Sequence, residues 1–126
     1  MNTNELRLSN LNHTWILDLD GTILKHNGYL IDGKDSFLEG ALPFMNRIPK
    51  EDFIIFLTSR KLEYRESTIA FLKENGVRYD VIIFEIPFGE RIIINDKKKS
   101  GLRTSVAINT TRDSFWDGEF VIDKDL

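Results

Sequence analysis

Trp15-Ile16-Leu17-Asp18-Leu19-Asp20-Gly21-Thr22 decides the fold of this chain. Three apolar residues run into an aspartate, a second aspartate follows two positions later, and a glycine comes next. A short apolar run of this kind reads as a buried strand. Gly21 marks a sharp change of direction at its end. Residues two apart can leave a strand end on the same side, so Asp18 and Asp20 are placed to act together.

Working outward, residues 53–57 (Phe-Ile-Ile-Phe-Leu) repeat the pattern and end in Thr58-Ser59-Arg60. Residues 81–84 read as a third strand, 92–94 as a fourth and 105–109 as a fifth, with the tail after Arg112 unassigned. Between the first two strands, residues 24–35 carry Gly28 and Gly33 and read as a hairpin or flap. Leu38, Ala41, Leu42, Met45 and Ile48 have helical spacing, which predicts a helix running to about Arg47 and ended by Pro49. Residues 63–75 predict a second helix, with Asn75-Gly76 as its C-cap.

Strands this rich in Ile, Leu, Val and Phe are those of a parallel sheet buried on both faces. Their alternation with helices predicts an α/β, Rossmann-like, doubly wound and mainly parallel fold. The 126 residues fit one domain, 1–126. There is no cysteine, which excludes disulfides, thiolate metal sites and a cysteine nucleophile. The net charge of -3 argues against a dedicated nucleic-acid binder. The first twelve residues lack the apolar stretch of a signal peptide, and the apolar runs are too short to span a bilayer. A soluble, cytoplasmic protein is the expectation.

In an open parallel sheet, ligands bind beyond the carboxyl ends of the strands. The polar residues fall at those ends: Asp18 and Asp20, then Thr58-Ser59-Arg60, then Asn95-Asp96. A carboxylate can serve as covalent nucleophile in phosphoryl transfer. Attack on a phosphate dianion meets charge repulsion, which a magnesium ion relieves, and magnesium takes one or two carboxylates plus waters and substrate oxygens. Asp-x-Asp-Gly by itself also occurs in surface turns, and Thr58 by itself could be a helix cap. His13 and His26 have no partner pattern and read as exposed. Phe115, Trp116 and Phe120 read as packing residues of the tail.

The segment 15–22 resembles the first motif of the haloacid dehalogenase superfamily, an apolar strand followed by Asp-x-Asp-Gly-Thr. That resemblance implies that Asp18 is the nucleophile forming an aspartyl-phosphate and that Asp20 is the acid/base. Thr58 matches the second motif, whose hydroxyl holds a phosphate oxygen, with Ser59 and Arg60 beside it. Residues 92–96 match the fourth motif, which makes Asp96 a magnesium ligand together with Asp18 and the backbone carbonyl of Asp20. The resemblance covers residues 15–109. Kinship is closest to small members linked to capsule and surface-polysaccharide synthesis. It implies a small phosphorylated metabolite as substrate, a sugar or polyol phosphate, with no nucleic-acid or membrane partner.

Two positions depart from that pattern. Ile86 stands where a phosphate-binding lysine is expected, and Asn95 where an aspartate is expected. Lys98, Arg91 and Arg60 are the candidates to supply the missing cation, Lys98 first. The gaps between motifs are too short for a cap domain, so the site is expected to be open unless a second subunit of a homo-oligomer covers it. A phosphate-binding or regulatory module with little turnover, and a nucleic-acid end phosphatase, are the alternative readings.

Overall fold

The computed structural model describes residues 5–126. They fall into two compact units. The larger comprises Leu11–Pro87 and Thr110–Asp117. The smaller comprises residues 5–10, Phe88–Asn109 and Gly118–Leu126.

The larger unit is built on three parallel strands, β2 (Thr14–Asp18), β3 (Phe53–Leu57) and β4 (Val81–Ile83), lying side by side in chain order. Asp18 is paired with Leu57, and Leu57 with Ile83, so the carboxyl ends of the strands are level. Parallel neighbours need crossovers. Between β2 and β3 lie α1 (Gly28–Ile31) and α2 (Ala41–Arg47). Between β3 and β4 lie a single 3-10 turn, Leu62–Tyr64, and α3 (Arg65–Glu74). Pro43 falls in the first turn of α2, where a missing N–H is tolerated. Gly76, at φ 68°, ends the α3 segment with its amide on the Lys73 carbonyl.

One face of this sheet is the core. Ile54 and Phe56 are fully buried, and Trp15 on the same face meets Phe44 of α2 edge-on at 5.7 Å. Phe44 also meets Phe115 at 5.1 Å and Trp116 at 5.8 Å, so these two tail aromatics are packing residues. The other face is half exposed: Ile16 at 45%, Phe53 at 44% and Ile83 at 42%. The apolar runs of β2 and β3 are therefore buried on one face and not on both. The described strands progress in one direction without reversal, and helices in such a run lie on one side.

The smaller unit holds β1 (Glu5–Leu8) and β5 (Glu119–Ile122), a parallel pair in register from Glu5 opposite Glu119 to Leu8 opposite Ile122. Residues 92–94 and 105–109, expected as strands, have no regular structure, and Ile92 and Ile94 are exposed. The observed molecule is therefore α/β with every described strand pair parallel. Among the described residues, no helix is long and apolar enough to cross a membrane.

Candidate functional site

β2 ends at Asp18, and the chain turns at once. The amides of Ile23 and Leu24 both return to the Leu19 carbonyl, and the Gly21 amide donates to the Leu24 carbonyl at 2.7 Å. Gly21 takes φ 81°, in the left-handed region, and a Cβ there would stand 3.2 Å from the Arg112 side chain. Its carbonyl accepts from the Asp113 amide at 2.8 Å, and an Asp113 carboxylate oxygen accepts from the His26 amide at 2.7 Å. The segment 110–117 thus braces the turn that carries the two aspartates.

Within this turn Thr22 donates its hydroxyl to Asp18 Oδ2 at 2.9 Å. Asp20 is held on both oxygens. Oδ2 accepts from the Thr58 hydroxyl at 2.7 Å, and Oδ1 accepts from Arg60 Nε at 2.9 Å, with Arg60 Nη2 at 2.8 Å. The parallel pairing of β2 and β3 brings these groups together from positions about forty residues apart. Thr58 is fully buried and anchored by its own backbone, its amide on Ile83 and its carbonyl receiving the Ile86 amide. Its hydroxyl also accepts from the Arg60 amide at 3.1 Å. A hydroxyl both gives and takes a hydrogen bond, so the Asp20–Thr58 contact suits either protonation state of Asp20.

Arg60 sits at the centre, with only 4% of its surface exposed. Besides Asp20, it forms a fork with Asp35, from Nη1 at 2.9 Å and Nη2 at 2.7 Å, and Nη1 also donates to the Thr68 hydroxyl at 2.9 Å. The Thr68 hydroxyl in turn donates to the Tyr64 carbonyl at 2.7 Å. The ring of Tyr29 covers the guanidinium at 3.9 Å, and Tyr64 packs against Tyr29 at 4.9 Å. Burial works against the Arg60 charge, but the hydrogen bonds and charges of Asp35 and Asp20 outweigh it and hold its pKa above the ordinary arginine value. Burial raises the Tyr29 hydroxyl pKa, and the Arg60 charge opposes part of that rise.

The structure therefore gathers Asp18, Asp20, Thr58 and Arg60 in one unit, with Ser59 half-buried between the last two. Arg60, which a position at a helix start would send to solvent, is instead buried among partners. Arg91, Asp96 and Lys98 belong to the smaller unit and are exposed there. The Asp96 carbonyl accepts from the Thr104 hydroxyl, the Asn95 amide donates to the Thr104 carbonyl at 3.3 Å, and the Lys98 amide and carbonyl close a turn with Leu102 and Gly101.

Sequence reading missed Asp35, Tyr29 and Thr68. The first two lie in the loop 24–37, the segment read as a hairpin or flap. It contains the one-turn helix α1, begun by Asn27 at φ 55°, and closes at its neck through the Leu24–Phe37 bridge. His13, read as exposed, is partly buried: its ring Nδ1 meets Asp52 Oδ2 at 2.9 Å. The expected magnesium ligands are hard oxygen donors, which suits that ion. Among the described residues, no group of three His, Cys, Asp or Glu side chains is gathered to hold a metal. Magnesium commonly uses fewer protein carboxylates than that and fills its shell with water and substrate oxygens. The chain matches no protein-family model, and no curated protein or solved structure is significantly similar to it.

Proposed function

We propose that this chain is a capless, magnesium-dependent phosphatase of the haloacid dehalogenase type, acting on a small phosphate monoester such as a sugar or polyol phosphate. The observation that carries this reading is the meeting of Asp20 with Thr58 and Arg60 beside Asp18, at the level carboxyl ends of parallel strands. That is where a parallel sheet offers its ligand site.

In this reading a carboxylate oxygen of Asp18 attacks phosphorus, the bond to the leaving oxygen breaks, and Asp20 gives that oxygen its proton. Water then attacks the aspartyl-phosphate, Asp20 takes the water's proton, and the bond to Asp18 breaks. The products are the alcohol and inorganic phosphate. Thr22 orients Asp18, and Thr58 with Arg60 orients Asp20. Magnesium, when bound, supplies positive charge to offset the repulsion between carboxylate and phosphate. Asp18 and the Asp20 carbonyl would hold it.

Catalysis of this kind needs fixed positive groups around the transferring phosphoryl oxygens. Arg60 has its donors on Asp20, Asp35 and Thr68, which leaves Ser59 beside it as an uncharged donor. The test is a panel of phosphate monoesters with magnesium. Turnover that stops with EDTA and with Asp18→Asn supports the reading, and wild-type rates in Asp18→Asn contradict it.

A second reading has one observation in its favour. Both Asp20 oxygens are already engaged within the chain, as they would be in a phosphate-binding module with little turnover. Such a module would bind phosphate or vanadate in equilibrium dialysis and release no alcohol from any ester.

A further inference from the structure

We infer that Asp35 is a positioning residue for Asp20, acting through Arg60, so that the 24–37 loop sets where the acid/base group stands. The inference rests on the reading of Asp20 as the acid/base and goes beyond it, since nothing in the motif pattern points to this loop.

The chain of contacts is short. Asp35 is 9% exposed, and both its oxygens accept from Arg60, at 2.7 and 2.9 Å. The same guanidinium reaches Asp20 through Nε and Nη2. A guanidinium is a rigid plane with five N–H donors, so fixing one edge fixes the other. Thr68 holds the third direction and the Tyr29 ring closes one face. Asp35 and Tyr29 come from one loop, tied at its neck by the Leu24–Phe37 bridge and by the Lys25 amide on the Ser36 carbonyl at 2.9 Å. One buried cation thus meets two carboxylates. A lone structural ion pair would need only one, so the second links the loop to the site. The loop cannot shift without moving the plane that carries Asp20.

Asp35→Asn tests this. The amide keeps the shape but turns an N–H toward an arginine N–H, and the fork is lost. In the magnesium-loaded protein, kcat on an alkyl phosphate, whose leaving oxygen needs a proton, should fall about tenfold to a hundredfold, part of the ~10²–10⁴ typical of an acid/base group. The rate on nitrophenyl phosphate should change about threefold or less, since that leaving group needs little protonation. KM should stay within about twofold for both, because Asp35 touches no substrate. Asp52→Asn, which disturbs a buried carboxylate at the other end of the sheet, should lower stability without separating the two esters. Tyr29→Leu, with no change of charge, should separate them in the same direction but less, and serves if Asp35→Asn does not fold.

An activity-free arm follows exchange of the Arg60 Nε–H by NMR. It should be at least about tenfold faster in Asp35→Asn than in wild type. If Asp18→Asn is inactive but Asp35→Asn slows both esters alike, the positioning role is overturned while the phosphatase reading stands. If the wild type turns over no ester, the phosphatase reading falls and the positioning role with it. Unchanged Nε–H exchange overturns the link from Asp35 to Arg60 whatever the kinetics.

Discussion

The three-stranded sheet of the larger unit carries a buried carboxylate cluster at each end, and the two are built differently. At the amino ends, Asp52 lies just before β3 and His13 just before β2. Asp52 accepts from the His13 amide at 3.0 Å, the His13 ring at 2.9 Å and the Trp15 indole at 2.9 Å. One carboxylate meets several donors from the chain around it. At the carboxyl ends, one arginine serves two carboxylates, with Asp18 alongside. The first arrangement is satisfied by its neighbours. The second sets one cation between two carboxylates from different elements, at the end of the sheet where a parallel fold binds its ligand.

Arg60→Met should have the largest effect. It leaves Asp35 buried without its cation, and loss of one partner of a buried pair costs about 3–5 kcal/mol. Urea unfolding should show a loss of that size. Arg60→Met with Asp35→Asn should recover part of it, because the stranded charge is then gone.

Asp52→Asn comes next. The amide puts an N–H against the Trp15 or His13 donor, and an unsatisfied buried group costs about 1–3 kcal/mol. Trp15→Phe removes one hydrogen bond to Asp52 and should cost less, about 0.5–1.5 kcal/mol beyond any packing change.

The amino end also gives an expected response to acid. Burial pushes the Asp52 pKa up, but the hydrogen bonds from Trp15 and from the His13 amide and ring outweigh it and leave it below the ordinary aspartate value. A depressed folded pKa gives stability that is fully present above the unfolded value, about 3.9, and is lost as pH falls toward the folded one. Wild type should therefore lose stability below about pH 4 by a component that Asp52→Asn lacks. Arg60, with its pKa raised, stays charged throughout and adds no slope there. Unfolding midpoints from pH 6 down to pH 3 check this, and identical slopes in both proteins would contradict it.

The same contrast explains what could be read in advance. β3 was legible to the residue, and β2 and α3 to within a residue or two at each end, because continuous apolar runs and helical spacing are local signals. Asp18, Asp20 and Thr58 were legible because strand ends are where polar residues follow apolar ones. Residues 92–94 and 105–109 gave the same apolar signal without forming strands, since a run of isoleucines does not specify a pairing partner. The β1–β5 pair joins two segments over a hundred residues apart, one of them polar, and no local pattern announces it. Asp35 was hidden for a related reason. An aspartate close to Gly33 in a loop that also holds Asp32 looks like turn chemistry, and only the fold shows that Asp35 meets Arg60.

On the proposed reading, Asp18 is the group that takes the phosphoryl from the substrate. The most direct measurement is an acid quench during turnover of a labelled phosphate monoester with magnesium, followed by peptide mapping. A hydroxylamine-sensitive phosphoryl group is expected on Asp18, absent in Asp18→Asn and longer-lived in Asp20→Asn. Turnover with no label on Asp18, or label on another residue, would contradict it.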